Sequence, residues 1–234
     1  MGTDFIPTPQ DIERYKRLRG AARTLNNTIL KTIPREAYVE IGKILGIWHH
    51  GAMVLDTEDE TSVLMDCILY DWYRDGKNIA EQYAESHPQP PGSDEEFLLR
   101  AYKEAGYVVL RVDSAIPGAG VHCTDLFQNE ELFVMDISMS QLGRTGYSIA
   151  TRIIPMGDYW VTGGALLPID RDVRFEDAIA ELGDRITGTS DGPRGFSLGI
   201  VRACLAAGAA ERVRYTKPAR PRQGHLPPKL PRRR

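Results

Sequence analysis

The hydrophobic pattern of the chain changes period near residue 106, and this change limits the folds that it can adopt. Before this point apolar residues recur every three or four positions, as on one face of an α-helix. From 106 to 169, five segments rich in β-branched and aromatic residues alternate polar with apolar positions, separated by the short turns PGAG, QNE, GRTG and PMG. The sequence therefore predicts a helical region followed by a small sheet.

We predict an α+β fold in which an N-terminal helical region packs on a five-stranded antiparallel meander, a small sheet or barrel, closed by C-terminal helices. The predicted regions are 1–105 for the helical part, 106–210 for the meander with its C-terminal helices, and 211–234 for a basic Pro/Arg-rich tail. With 42% hydrophobic and 26% charged residues, the chain has the composition of an ordinary globular protein.

Several helices have recognisable start signals. At the first, Thr8 supplies a capping hydroxyl, Pro9 suits the first helical position, and Asp11 places an acid in the first turn. A box of Thr57 and Glu60 opens the third helix in the same way. The predicted helices cover residues 9–33, 34–46, 57–76, 94–105, 173–186 and 196–210.

The tail is strongly basic, although the chain as a whole is slightly acidic. Residues 211–234 carry nine basic residues and one acid, a net charge of +8, so residues 1–210 carry −11 of the total of −3. Five prolines keep such a segment extended, which lets its arginines reach phosphates at little folding cost. The tail residues predicted to bind nucleic acid or a partner are Arg220, Arg222, Lys229, Arg232, Arg233 and Arg234.

The first helix carries a second basic surface, opposite its apolar stripe. This basic face consists of Lys16, Arg17, Arg23 and Lys31. It is either a phosphate contact along nucleic acid or a solvated face balanced by the nearby Asp11 and Glu13.

A possible ligand surface emerges when the strands are threaded through their short turns. Cys123, Asp136, Arg152 and Thr162 then fall in one row across four neighbouring strands. The row is either a catalytic or ligand surface organised by Asp136 and Arg152, or an ordinary cross-strand ion pair. His122 points to the opposite face and cannot activate the neighbouring thiol.

Asp71 is unusual because it lies in the middle of the apolar stripe of the third helix. It also lies near the end of that helix, where the dipole disfavours a carboxylate. We expect either a buried Asp71 bound to an arginine or to backbone amides, or an acid–base group.

The sequence predicts neither a cofactor nor a metal. It has no GxGxxG, GxSxG or HExxH motif, and its three cysteines form no CxxC pair. The N-terminal stretch lacks a secretory signal pattern, and the most apolar stretch, 196–210, is too short to span a bilayer. We therefore expect a cytoplasmic protein with no membrane contact.

Three stretches resemble a group of uncharacterised bacterial proteins over roughly residues 8–170. They are DTEDETSVLMDCILYDW, GVHCTDLFQNEELFVMDISMS and ATRIIPMGDYWVTGGALLPI. The resemblance implies a bacterial cytoplasmic protein and adds no catalytic residue.

These observations lead to two functional hypotheses. The first is a non-enzymatic binding or accessory protein that docks on nucleic acid or a nucleoprotein partner through its basic tail. The alternative is an enzyme of unknown reaction that uses Asp136, Arg152 and Cys123. An enzyme should place these groups in a concave pocket with shifted pKa values, whereas a binding module should not.

Overall fold

A computed structural model of the protein describes residues 5–55, 58–141, 145–169 and 192–209. The predicted helix at 173–186 and the basic tail lie outside the described residues.

The α-helices of the described residues are α1 (Pro9–Ile29), α2 (Arg35–Leu45), α3 (Glu58–Asp71), α4 (Ile79–Ser86), α5 (Asp94–Lys103), α6 (Ile137–Ser140) and α7 (Gly192–Ala206). Two short hairpins lie between helices, β1 (Trp48–His49) with β2 (Ala52–Met53) and β3 (Tyr73–Arg74) with β4 (Lys77–Asn78). The long strands are β5 (Gly106–Ile116), β6 (Gly120–Asp125), β7 (Glu131–Val134), β8 (Ser148–Pro155) and β9 (Trp160–Ile169).

Capping boxes fix the start of two helices. At α1 the Thr8 hydroxyl accepts from the Asp11 amide at 3.3 Å, and the Asp11 carboxylate accepts from the Thr8 amide at 2.9 Å. This start was predicted and is confirmed. Asn78 and Glu81 make the same reciprocal pair at the start of α4, a helix that the sequence analysis did not predict.

The five long strands close into a barrel in the order β5-β6-β7-β9-β8, and β8 pairs with β5. Neighbouring strands are antiparallel except β7 and β9, which are parallel. The mixed α+β fold and the five strands are confirmed, but the purely antiparallel meander is wrong. A five-stranded barrel that is not a simple up-and-down meander is an architecture that the OB fold also has.

Asp136 explains the departure from a meander. The alternation of polar and apolar residues predicts a third strand that continues through this residue, but the strand ends at Val134 and Asp136 caps α6. Its Oδ1 accepts from the amides of Ser138 at 2.9 Å and Met139 at 3.1 Å. Because α6 redirects the chain after β7, β8 pairs with the first barrel strand instead of the third.

Two apolar clusters fill the protein. One occupies the barrel interior, where alternate residues of the strands meet Met139 from α6. The other lies between the outer face of the barrel and the helices. Helix α1 is also held to the barrel by hydrogen bonds, because the guanidinium of Arg14 donates to the Met156 carbonyl at 2.8 Å and that of Arg19 to the Thr162 carbonyl at 2.9 Å.

The barrel closure predicts opposite outcomes for two glycine substitutions. A Cβ at Gly120 would lie 2.8 Å from the Cα of Met135 and 2.9 Å from the Phe133 ring, whereas a Cβ at Gly20 in α1 meets nothing within 4 Å. We expect Gly120→Ala to lower the free energy of unfolding by about 1–3 kcal/mol. Gly20→Ala should raise it by roughly 0.5–1 kcal/mol. Urea unfolding measures both, and equal effects would contradict the close approach at Gly120.

Candidate functional site

The most heavily charged buried site in the described part of the chain joins α3 to the barrel. Arg152 on β8 donates from Nε to Asp66 at 2.8 Å and from Nη2 to Asp71 at 2.5 Å. Its guanidinium lies 4.5 Å from the centre of the Tyr70 ring and 5.3 Å from that of Tyr107. We call these five residues the Arg152 cluster. Arg152 is only 3% exposed, so its charge is neutralised inside the protein.

A glycine makes this contact possible. A Cβ at Gly163 on β9 would lie 2.9 Å from the Asp66 carboxylate and 3.1 Å from the Cβ of Arg152. Any larger residue would push α3 away from the sheet. Close packing of α3 on β8 and β9 therefore brings the two acids within reach of one guanidinium.

The cluster contains one more acid than base, and burial sets its electrostatics. Burial raises the pKa of Asp71 to about 6, and the attraction of Arg152 offsets only part of this effect. Burial likewise raises the pKa of Asp66. Burial alone would lower the pKa of Arg152, but the negative charges of Asp66 and Asp71 outweigh this effect and raise it. The arginine therefore stays charged, and the two acids compete for it.

Asp66, Cys67 and Asp71 place their ligand atoms within 4.8 Å of one another, as a metal site would. The guanidinium of Arg152 already supplies the cation at this position. Burial raises the pKa of the Cys67 thiol well above its ordinary value, which disfavours the thiolate that a metal needs. This arrangement suits an internal ion cluster. The prediction that Asp71 is buried and bound to an arginine is confirmed.

The structure separates the three residues that the sequence placed in one catalytic row. Arg152 points to α3, whereas Cys123 belongs to the cluster inside the barrel, where burial raises its pKa to about 12. Asp136 caps α6, and its Oδ2 accepts from the Thr162 hydroxyl at 2.7 Å. The expected Asp136–Arg152 pair does not form, because β9 lies between β7 and β8. The predicted row required β7 to lie beside β8, and in the barrel the two strands are not neighbours.

An open groove of about 520 Å³ lies on the outer face of β5, β6 and β7, and we call it the barrel groove. Its polar groups bind one another. Arg111 Nε donates to Asp113 at 2.8 Å, and the Thr124 hydroxyl donates to the same carboxylate at 2.6 Å. His122 and Glu131 also line the groove, and so does Cys123, the predicted site residue whose side chain belongs to the barrel interior. With two acids beside one arginine, the barrel groove has no excess positive charge.

The basic face of α1 is only partly available. Lys16 Nζ lies 2.6 Å from Glu13, and Arg17 Nε lies 3.0 Å from Asp94. Arg23 and Lys31 are exposed and make no ion pair with the residues that the structure describes. The positive charge of this face is therefore concentrated towards the C-terminal end of α1. The six basic tail residues lie outside the described residues.

Substitutions in the Arg152 cluster should lower the free energy of unfolding by unequal amounts. Arg152→Met leaves two buried acids without a counter-charge and should lower the free energy of unfolding by about 3–5 kcal/mol. Asp71→Asn keeps the Arg152–Asp66 pair, so its cost should be smaller, about 1–3 kcal/mol. Chemical denaturation at neutral pH compares the two. Equal losses would show that the second carboxylate matters as much as the guanidinium.

The raised pKa of Asp71 predicts a pH dependence. The folded protein binds a proton at Asp71 with a pKa of about 6, whereas the unfolded chain has the ordinary value of 3.8. Between these values the folded state binds more protons, so the stabilising contribution of Asp71 is complete below the lower pKa and is lost as pH rises through the upper one. Relative to Asp71→Asn, the wild type should lose about 2–3 kcal/mol between about pH 4 and about pH 7. A difference that stays constant or grows with pH would refute this assignment.

The described helices include none that is long and apolar enough to cross a membrane. No curated protein and no solved structure was found to match the chain. A family model does match, over residues 9–175, which include α1 to α6 and the whole barrel. On this match the chain belongs to DUF7986, a family of unknown function.

Proposed function

We propose that this protein is a non-enzymatic binding or accessory protein that docks on nucleic acid, alone or in a nucleoprotein, through its basic tail. The observation that carries the proposal is the separation of charge along the chain. Residues 211–234 carry +8, whereas residues 1–210 carry −11. An acidic body repels a polyanion, so contact with nucleic acid is confined to the tail and to local basic surfaces.

The composition of the tail supports phosphate contact in particular. Six of its nine cations are the binding residues predicted above, and five prolines lie in the same segment. Arginine presents a planar set of donors that matches a phosphate in two parallel hydrogen bonds. An extended proline-rich segment loses little conformational freedom when it binds along a backbone. Such a tail recognises charge more than base sequence.

The folded body favours binding over the enzyme alternative. Of the three candidate catalytic residues, Arg152 is bound by two acids, Asp136 caps a helix, and the Cys123 thiol is held protonated inside the barrel. They do not share a cavity in the described part of the chain. The three buried cysteines carry no disulfide, which suits the bacterial cytoplasm that we include in the proposal.

The test neutralises the two candidate basic surfaces separately in the full chain. One variant replaces the tail residues Arg220, Arg222, Lys229, Arg232, Arg233 and Arg234 with glutamine. The matched variant does the same to the basic face, which consists of Lys16, Arg17 and Arg23 on α1 and Lys31 just after its end. We expect the tail variant to lose retention on RNA and DNA at low salt, because its cations would no longer neutralise phosphates. Its melting temperature should stay unchanged, because the proposed contact of the tail is with nucleic acid and not with the body.

Three outcomes would overturn or redirect the proposal. A tail variant that keeps its retention would exclude the tail as the contact, and loss in the α1 variant alone would assign the contact to α1. Lowered thermal stability in the tail variant, and after deletion of 215–234, would indicate that the tail straps the acidic body. A protein partner that survives nuclease treatment in a pull-down would indicate an acidic protein instead of nucleic acid.

A further inference from the structure

A second groove, of about 230 Å³, lies where the end of α1 meets the β3–β4 hairpin and α4. We call it the Arg74 groove. Its polar lining consists of Thr32, Arg74, Gln82, Tyr83, Ser86 and His87, and no acid lines it. In a body with a net charge of −11, a groove that contains a guanidinium and an imidazole but no carboxylate is suited to an anion.

Two stacked rings form one wall of the groove. The rings of Tyr83 and His87 are nearly parallel, 7° apart in angle, with their centres separated by 4.2 Å. Tyr83 is buried and His87 is exposed, so Tyr83 supports one face of the imidazole while a planar ligand can stack on the other. The Ser86 hydroxyl lies 3.0 Å from His87 Nδ1 and holds the ring in this orientation.

Arg74 supplies the charge. Its guanidinium lies over the Trp72 ring, 4.9 Å from the ring centre, a cation–π contact that restrains the side chain. Arg74 is exposed and makes no ion pair among the described residues. A guanidinium held in this way can bind a phosphate through two parallel hydrogen bonds.

The elements around the groove carry charges of both signs. Lys31, which makes no ion pair among the described residues, directly precedes Thr32 in the lining. Glu85 pairs with Lys77 at 2.7 Å and Glu40 accepts from Trp72 Nε1 at 2.9 Å, whereas Asp75 follows Arg74 in the β3–β4 turn and does not line the groove. The barrel groove, by contrast, is lined by Asp113 and Glu131.

We propose that the Arg74 groove binds one nucleotide unit, with the phosphate on Arg74 and the base stacked on His87. The inference rests on the proposed function and deepens it, because it gives the nucleic acid a contact on the folded body besides the tail. A nucleotide unit belongs either to a single strand or to a free nucleotide. The same phosphate and base chemistry recognises both, so the experiment must separate them.

The test uses the full chain and two probes, a labelled twelve-nucleotide single strand and AMP. Arg74→Ala and His87→Ala remove the two contacts. Arg100→Ala is the matched control, because Arg100 is also an exposed arginine beside an aromatic ring, that of Phe97, but lies outside the groove. Fluorescence anisotropy measures strand affinity at several salt concentrations, and NMR follows the His87 ring signals during the AMP titration.

We expect Arg74→Ala to weaken strand binding by about tenfold. It should also reduce the slope of log affinity against log salt by about one. His87→Ala should weaken binding by a similar factor with little change in the slope, because stacking involves no counterion. Arg100→Ala should leave both quantities unchanged, and unfolding curves of all three variants should match the wild type.

Strand binding that the groove variants leave unchanged would exclude the strand as the source of the nucleotide unit. If the His87 signals also stay unchanged with AMP, the inference is overturned while the proposed function stands. If the protein does not bind the strand but its His87 signals shift with AMP, the nucleotide site stands and the proposed function is overturned. Shifts that inorganic phosphate reproduces in full would overturn the stacking role of His87. An unchanged His87 spectrum with both AMP and the strand would overturn the inference outright.

Discussion

The architecture depends on one guanidinium that is shared by two buried carboxylates. Arg152 extends from the barrel, and Asp66 and Asp71 extend from α3, so the same hydrogen bonds that neutralise the charges also fix the helix on the sheet. Burial of such a group is costly, and the attraction offsets that cost only at this geometry. Any displacement of α3 would leave charge without a partner. The cluster therefore specifies one arrangement of the two layers, and Gly163 provides the space for it.

How far the sequence could predict this structure depended on whether the signal was local. The α1 cap could be predicted because Thr8, Pro9 and Asp11 are neighbours, and the burial of Asp71 followed from its place on an apolar stripe. The capping box of α4, formed by Asn78 and Glu81, is an equally local signal. The strand order could not be predicted because two structures suit Asp136. The alternation of its neighbours favours a strand, whereas its side chain can also cap a helix. The partner of Arg152 depends on that strand order and was therefore missed.

The body uses most of its charged groups for its own structure. Arg14 and Arg19 hold α1 on the barrel, Arg111 is bound within the barrel groove, and Arg152 lies in the core. A cation that is already hydrogen-bonded inside a fold has little left to offer a partner. Among the described residues, the cations without such a bond include Arg74, the exposed Arg23 and Lys31, and scattered surface residues such as Arg35 and Lys43. Of these, Arg74 is the one that lines a groove without an acid.

A tail and a groove on one chain would recognise different properties of the same ligand. The positive charge of the tail would attract any phosphate backbone, and this attraction weakens as the salt concentration rises. Stacking on the His87 ring would recognise a base, and its strength depends little on salt. Two weak contacts on one chain reinforce each other, because the first raises the local concentration of ligand at the second. This gain requires a strand long enough to reach both. The tail would therefore determine how readily the protein finds nucleic acid, and the Arg74 groove would favour single strands, whose bases are free to stack.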